Sequence, residues 1–156
     1  MSSFAEEKSV VLKQSGAPLS ITQYSAKFEP EEDGGRYSRG HSDQIRHTVT
    51  YTNTSTKEIV ALQIGLASFD AFNSFMDRFS GWSVSQVQPN ETKKGEWTQR
   101  PYAAFSFQSY GTGVAYVNAV RFADGSIWRA NLSEVLADLQ KFEKDLKKED
   151  LLEKKK

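Results

Sequence analysis

From Ile45 to Thr52 the chain alternates: Ile45, His47, Val49 and Tyr51 fall on one side, Arg46, Thr48, Thr50 and Thr52 on the other. A period of two belongs to extended backbone, where successive side chains point to opposite faces. It predicts a strand with one buried and one wet face. Asn53 to Lys57 then reads as a turn, because short polar side chains bond their own backbone there. Ile59 to Phe69 is apolar on both sides, broken by Gln63. Such a run predicts a central strand covered on both faces. Upstream, Val10 to Leu12 predicts a short edge strand before Gly16 and Pro18, and Leu19 to Phe28 a second strand. Glu29 to Ser42 is a polar loop rich in breakers.

Downstream the pattern is mixed. Phe72, Phe75, Met76 and Phe79 suggest a helical turn or packed aromatic loop over Asp70 to Gly81. A short strand is expected at Val84 to Val87, before a Pro89-Asn90 turn. Trp97 stands in a polar stretch, and Tyr102 to Phe107 reads as a strand. Val114 to Phe122 and Ser126 to Arg129 flank Ala123-Asp124-Gly125, and Asp-Gly between β-rich runs predicts a hairpin. The period then changes. Leu132, Val135, Leu136, Leu139, Phe142 and Leu146 form a helical stripe over Asn131 to Leu146. Asn131 is placed to cap it, with Glu134 three residues on.

Together these elements predict a mainly β protein, an antiparallel β-sandwich with a C-terminal α-helix. The expected division is a flexible N-terminus over 1–8, a β-sandwich over 9–130, a helix over 131–146 and a charged mobile tail over 147–156. The expected core includes Val49, Tyr51, Leu62, Ile64, Phe105, Phe107, Val117 and Val120.

Composition narrows the function classes. The 156 residues carry 20 Lys and Arg against 20 Asp and Glu. A balanced charge argues against a general nucleic-acid binder, which needs a basic footprint. With no cysteine, a disulfide, a thiolate zinc site and a cysteine nucleophile are all excluded. No apolar run is long enough to span a bilayer. Met1 to Glu7 has neither the basic nor the apolar region of a signal peptide. The expectation is either a cytoplasmic chain or a mature exported form with an added initiator Met.

The stretch Val49-Thr50-Tyr51-Thr52-Asn53-Thr54-Ser55, then Lys57 and Ile59, Phe69-Asp70, and Pro89-Asn90-Glu91-Thr92 resembles the immunoglobulin-like FxLYD-type domains of bacterial proteins. In that family a strand ends in an Asn-Thr/Ser turn, the next in an aromatic-Asp pair, and a Pro-Gly-Glu-like turn precedes a later strand. Here Leu66 and Ser68 stand where the name-giving Phe and Leu would be, and Asn90 where Gly is usual. The resemblance covers roughly Ile45 to Phe107. It implies an immunoglobulin-like fold, export to the periplasm or exterior, and no enzymatic activity.

Candidate chemistry is sparse. His47 alternates with core residues and reads as a structural histidine. His41 precedes Asp43 by two residues, and a His-x-Asp pair can orient a general base. Ser38 and Ser42 are near, but there is no Gly-x-Ser-x-Gly elbow, so a hydrolase is the lowest-ranked reading. Glu29, Glu31, Glu32 and Asp33 before Gly34-Gly35 offer oxygen ligands for calcium without EF-hand spacing, and read as a solvated loop. Gly111-Thr112-Gly113 lacks the lysine and helix of a phosphate loop. Asn53, Asn90 and Asn131 each head a glycosylation triplet. Flat aromatics suit sugar stacking. Trp82, Trp97, Tyr102 and Tyr110 are the candidate ligand-binding residues, with Tyr116 and Trp128 weaker. Leu132, Val135, Leu139 and Phe142 are candidates for binding a protein partner, or for docking on the sandwich. No cofactor or metal is expected. The leading expectation is a non-catalytic β-sandwich module acting through protein contacts, the alternative a small-ligand or carbohydrate-binding domain.

Overall fold

The computed structural model describes residues 8–29, 43–100, 107 and 109–152. The described strands are β1 (Lys8–Val11), β2 (Leu19–Glu29), β3 (Gln44–Asn53), β4 (Ile59–Asp70), β5 (Phe75–Ser83), β6 (Thr92–Gln99), β7 (Tyr110–Phe122) and β8 (Ile127–Arg129). Helix α1 (Leu132–Leu139) and a 3₁₀ turn at Lys148–Leu151 follow. The protein is mainly β, in two sheets. The larger runs β1-β7-β4-β5, with β8 also on β7, and the smaller runs β2-β3-β6.

The two sheets face each other across a shared core. Leu19, Val49 and Tyr51 from the smaller sheet meet Leu62, Ile64, Leu66, Val117 and Val120 from the larger. The alternation in β3 does what it predicts: Ile45, His47, Val49, Tyr51 and Asn53 are buried, and the intervening residues are half-exposed. Asn53 ends the strand inside the protein. Its amide donates to the carbonyls of Lys57 and Val87, and its Oδ1 accepts from Ser55. Every expected core residue is buried except Phe105, which lies outside the described residues.

The larger sheet is buried on part of its other face too. Ala67, Phe69, Val114 and Tyr116 pack against Val135, Leu139, Leu146 and Leu151. Asn131 caps α1 through its side-chain oxygen, which accepts from the backbone of Ser133 and Glu134. The Asn131–Leu146 helix is shorter than expected and stops at Leu139. The chain then bends through turns, so that Phe142 stacks on Phe69, ring centroids 5.1 Å apart, and Leu146 and Leu151 return to the same patch. A straight helix over all sixteen positions would run about 24 Å.

One edge of β7 is closed in three pieces. β1 pairs with it in parallel over Thr112 to Ala115, and β8 antiparallel over Ala119 to Arg121. Between them the Gln14 side chain donates to the Val117 carbonyl at 2.8 Å and accepts from its amide at 2.7 Å. A side-chain amide thus stands in for a strand residue.

Four further expectations are corrected. Asp70 to Gly81 is no helix; it turns at Ala71–Ser74 and becomes β5. Val84 to Val87 is a loop held by a single bridge from Val87 to Ile59. The polar stretch around Trp97 is strand β6. The sheets are not wholly antiparallel, because β1 runs parallel to β7. The expected strand at Tyr102 to Phe107 lies, but for Phe107, outside the described residues.

Candidate functional site

Two polar constellations stand out, one buried and one open. The buried one centres on His47, which has no exposed surface. Its Nδ1 is 2.9 Å from the Tyr24 hydroxyl and its Nε2 2.8 Å from Gln99 Oε1, while Gln99 Nε2 donates to Asp77 at 3.0 Å. The protons follow from the donors available. An amide nitrogen only donates, so Gln99 turns its oxygen to the histidine. That oxygen only accepts, so Nε2 carries the ring proton and Nδ1 accepts from Tyr24. The ring is stacked between Tyr24 and Phe79. Burial pushes His47 down to about 4, against a raising contribution from Gln99. Burial, with Tyr110 beside it, pushes the Tyr24 hydroxyl well above the usual tyrosine range. The group is a closed chain of donors that ties β2, β3, β6 and β5 together. Both nitrogens of the imidazole are engaged, so it has no free nitrogen for a substrate.

The open constellation follows from strand register. Across the outer face of the larger sheet, Trp82 on β5 pairs with Gln63 on β4, Gln63 with Ala119 on β7, and Ala119 with Arg129 on β8. The next rung holds Ala61, Arg121 and Ile127. Alanines between long side chains leave a hollow, and α1 with the turns after it packs instead over Ala67, Phe69, Val114 and Tyr116. Two adjoining hollows result, of about 280 and 200 Å³, sharing Gln63, Trp82 and Arg129. The larger is bounded by Arg78, Asn118 and the Leu151–Leu152 end.

The polar residues here are fixed by one another. Asn118 donates to Gln63 at 2.6 Å, and Gln63 donates to Ser80 at 3.2 Å. Arg78 donates to the Tyr116 hydroxyl at 3.1 Å and to Ser80, and lies against the Tyr116 ring. Tyr116 in turn lies flat on Gly65, where any Cβ would collide with its ring. Trp82 is 57% exposed. Its backbone carbonyl accepts from the Trp97 indole at 3.0 Å. Three arginines and no carboxylate line the two hollows among the described residues.

The sequence candidates fare unequally. Trp82 lies in the open groove. Trp97 does not reach it; its ring faces the core and is packed over Gly81 and Gly95. Tyr110 is buried, so it offers no stacking face. Tyr116 is buried as well, and Trp128 packs against the core. Tyr102, His41, Ser38, Ser42, Glu31, Glu32 and Asp33 lie outside the described residues. Glu29 is engaged by Arg46 and Gln44, which hold its carboxyl below the usual range. No group of three or more potential metal ligands occurs among the described residues. Val135 and Leu139 are buried and Phe142 half-buried, packed onto the chain's own sheet, while the half-buried Leu132 borders the larger hollow. The Asn53 triplet is unusable for a glycan, because its amide is buried and fully bonded. Pattern reading missed Gln63, Arg78, Asn118, Arg121 and Arg129, since only pairing across four strands assembles them.

A larger hollow, about 580 Å³, lies instead where the chain passes from β1 to β2, bordered by Leu12, Gln14, Leu19 and Ile21 with no described aromatic.

No protein-family model matches the chain, and no curated protein matches it. Among solved structures it is similar to a hypothetical protein from Peptoclostridium difficile 630, at 11% identity and a TM-score of 0.53, over 83% of this chain and 93% of that one. A second similar structure is Northeast Structural Genomics Consortium target SoR45, at 12% identity and a TM-score of 0.47, over 72% and 80%. The first likeness extends to the fold alone. No helix among the described residues is long and apolar enough to cross a membrane.

Proposed function

We propose that this chain is a non-catalytic binding module of immunoglobulin-like type, exported from the cell, whose ligand lies in the groove on the outer face of the larger sheet. The observation that carries the reading is the rung Trp82–Gln63–Ala119–Arg129. It sets an exposed indole and a cation on opposite walls of a hollow whose polar floor is held by hydrogen bonds. Small-ligand sites have this form, with an apolar face and a few fixed polar groups. The binding of protein partners through the terminal helix recedes, because its stripe faces the chain's own sheet. The non-catalytic part of the reading is supported by the engagement of both His47 nitrogens away from any solvent-facing groove. Export, like the immunoglobulin-like assignment, rests on the motif resemblance.

The test is a glycan and small-metabolite array probed with the wild-type chain and with Trp82→Ala. The expected result is that binding seen with the wild type disappears in the variant and that bound compounds are recovered unchanged. Binding that survives Trp82→Ala places recognition elsewhere, and conversion of a bound compound makes the protein an enzyme.

A further inference from the structure

We propose that the groove takes an acidic saccharide, a sugar chain carrying carboxylates, with the indole of Trp82 under a sugar face and Arg129 and Arg121 on the acid groups. This rests on the groove being the binding site, and it names the ligand class.

Three observations converge. The first is charge. Arg78, Arg121 and Arg129 line the two hollows, and no described carboxylate lines either of them; Glu134 and Asp138 lie with Arg129 around a separate neighbouring hollow. None of the three makes an ion pair among the described residues, although Arg46, Lys57 and Lys141 do. Arg78 is half-buried and meets only neutral oxygens, those of Tyr116 and Ser80. A partly desolvated guanidinium without a counter-ion favours an arriving anion, and the planar fork of arginine suits a carboxylate.

The second is shape. The indole and Arg129 stand three strand spacings apart, about 14 Å. A single small anion cannot touch both, whereas an extended chain of rings can. The hollow between them is made by Ala61 and Ala119, so a ring laid across the sheet meets little obstruction. Sugar rings present a flat apolar face of C–H groups, which an exposed indole covers well.

The third is hydrogen bonding. The Asn118 amide nitrogen is given to Gln63, and Gln63 is engaged at both ends, with Asn118 and Ser80. This leaves the side-chain oxygen of Asn118, which borders the larger hollow, as an acceptor with no protein donor among the described residues, available to a ligand that can donate. Sulfate, fully ionised at neutral pH, only accepts, and phosphate brings at most one or two O–H donors on a single small centre. Sugar hydroxyls donate from several positions along a chain, and the acid group supplies the acceptors that the arginines require. A small inorganic anion therefore satisfies the arginines without also reaching the Asn118 acceptor and the indole, while a neutral sugar leaves the arginines unmet.

The experiment is titration calorimetry with intrinsic fluorescence, using trigalacturonate, maltotriose and inorganic phosphate as probes. The proteins are the wild type, Arg129→Gln and Arg121→Gln. Both arginines are exposed, so the variants are expected to melt with the wild type. Trigalacturonate is expected to bind and perturb tryptophan emission, with at least a tenfold loss in either variant and progressive weakening with added salt. Maltotriose and phosphate are expected to bind at least tenfold more weakly. Equal binding of maltotriose, insensitive to Arg129→Gln, overturns the acidic class and leaves the groove as a neutral-sugar site. Phosphate binding as tightly as trigalacturonate overturns the saccharide. If trigalacturonate fails to bind, the proposal falls, while the groove itself is judged by the loss of array binding in Trp82→Ala.

Discussion

At the scale of single residues, His47 links structure to solution conditions. It is neutral and doubly bonded in the fold, with its titration pushed down to about 4. In the unfolded chain an ordinary histidine titrates near 6.5. Between those values the unfolded state binds the extra proton, so stability falls as pH drops from about 6.5 to about 4. The window is worth about 3 kcal/mol at one pKa unit per about 1.4 kcal/mol. Urea melts at pH 7 and pH 4.5 should show most of that loss in the wild type. His47→Phe should be less stable at pH 7, since it removes the His47 partner of the Tyr24 hydroxyl and of Gln99 Oε1, and should show a flatter response between the two pH values. The Asp124 carboxylate, held low chiefly by Ser126 and also by Lys57, adds a loss of the same sign further into acid. A second residue-scale expectation concerns Gly65, where a methyl group would collide with the Tyr116 ring. Gly65→Ala should cost about 1–3 kcal/mol by overpacking. It should also disturb Arg78, which leans on Tyr116, so a melt shift with unchanged groove binding would contradict that coupling.

At the scale of elements, the C-terminal segment is a cover for the sheet. Leu139→Ala should cost about 2–5 kcal/mol, and Asn131→Ala about 1 kcal/mol through the lost cap. Removal of residues 131–156 should lower the melting temperature independently of protein concentration. Sedimentation of the intact chain as a dimer, with a deletion variant of unchanged melting temperature, would place the stripe in an assembly instead. The elements also show what can be read from the chain. β3, β4 and the Asp124-Gly125 hairpin are legible, because burial on one face, or on both, writes itself into local alternation. β5 is not. Its Phe75 packs under the C-terminal segment, Met76 and Phe79 point to the other side, and a bulge between Ser68 and Phe69 shifts the parity. Apolar residues on two faces with a bulge imitate helical spacing. β6 hides for the opposite reason, since its inward positions are Lys93, Gly95, Trp97 and Gln99. Only one of those is apolar and large, and it needs two glycines beneath it.

At the scale of the whole molecule, the groove is a product of topology. Gln63, Trp82, Ala119 and Arg129 come from four strands and meet only through register. Nothing local in the sequence marks them, and only Trp82 is visible beforehand, as an aromatic. The same exposure predicts independence from folding. Trp82→Ala should change stability by no more than about 0.5 kcal/mol, measured by urea melts. A loss of several kcal/mol would mean that the indole is a packing group, and the groove reading would lose its platform.

The parallel pairing of β1 with β7, finished by the Gln14 bond to Val117, has a consequence in time. These partners are 103 residues apart in the chain, and a contact that closes so long a loop comes late, after local pairings have formed. A chain made from its N-terminus therefore holds β1 without its β7 partner until residues 112–117 have been made. The last seam to shut should be the first to loosen. Gln14→Ala is expected to speed unfolding while leaving the folding rate unchanged, and amide exchange at Val117 should quicken before that of Ile64 on the central strand. That one seam sets how long the fold stays closed.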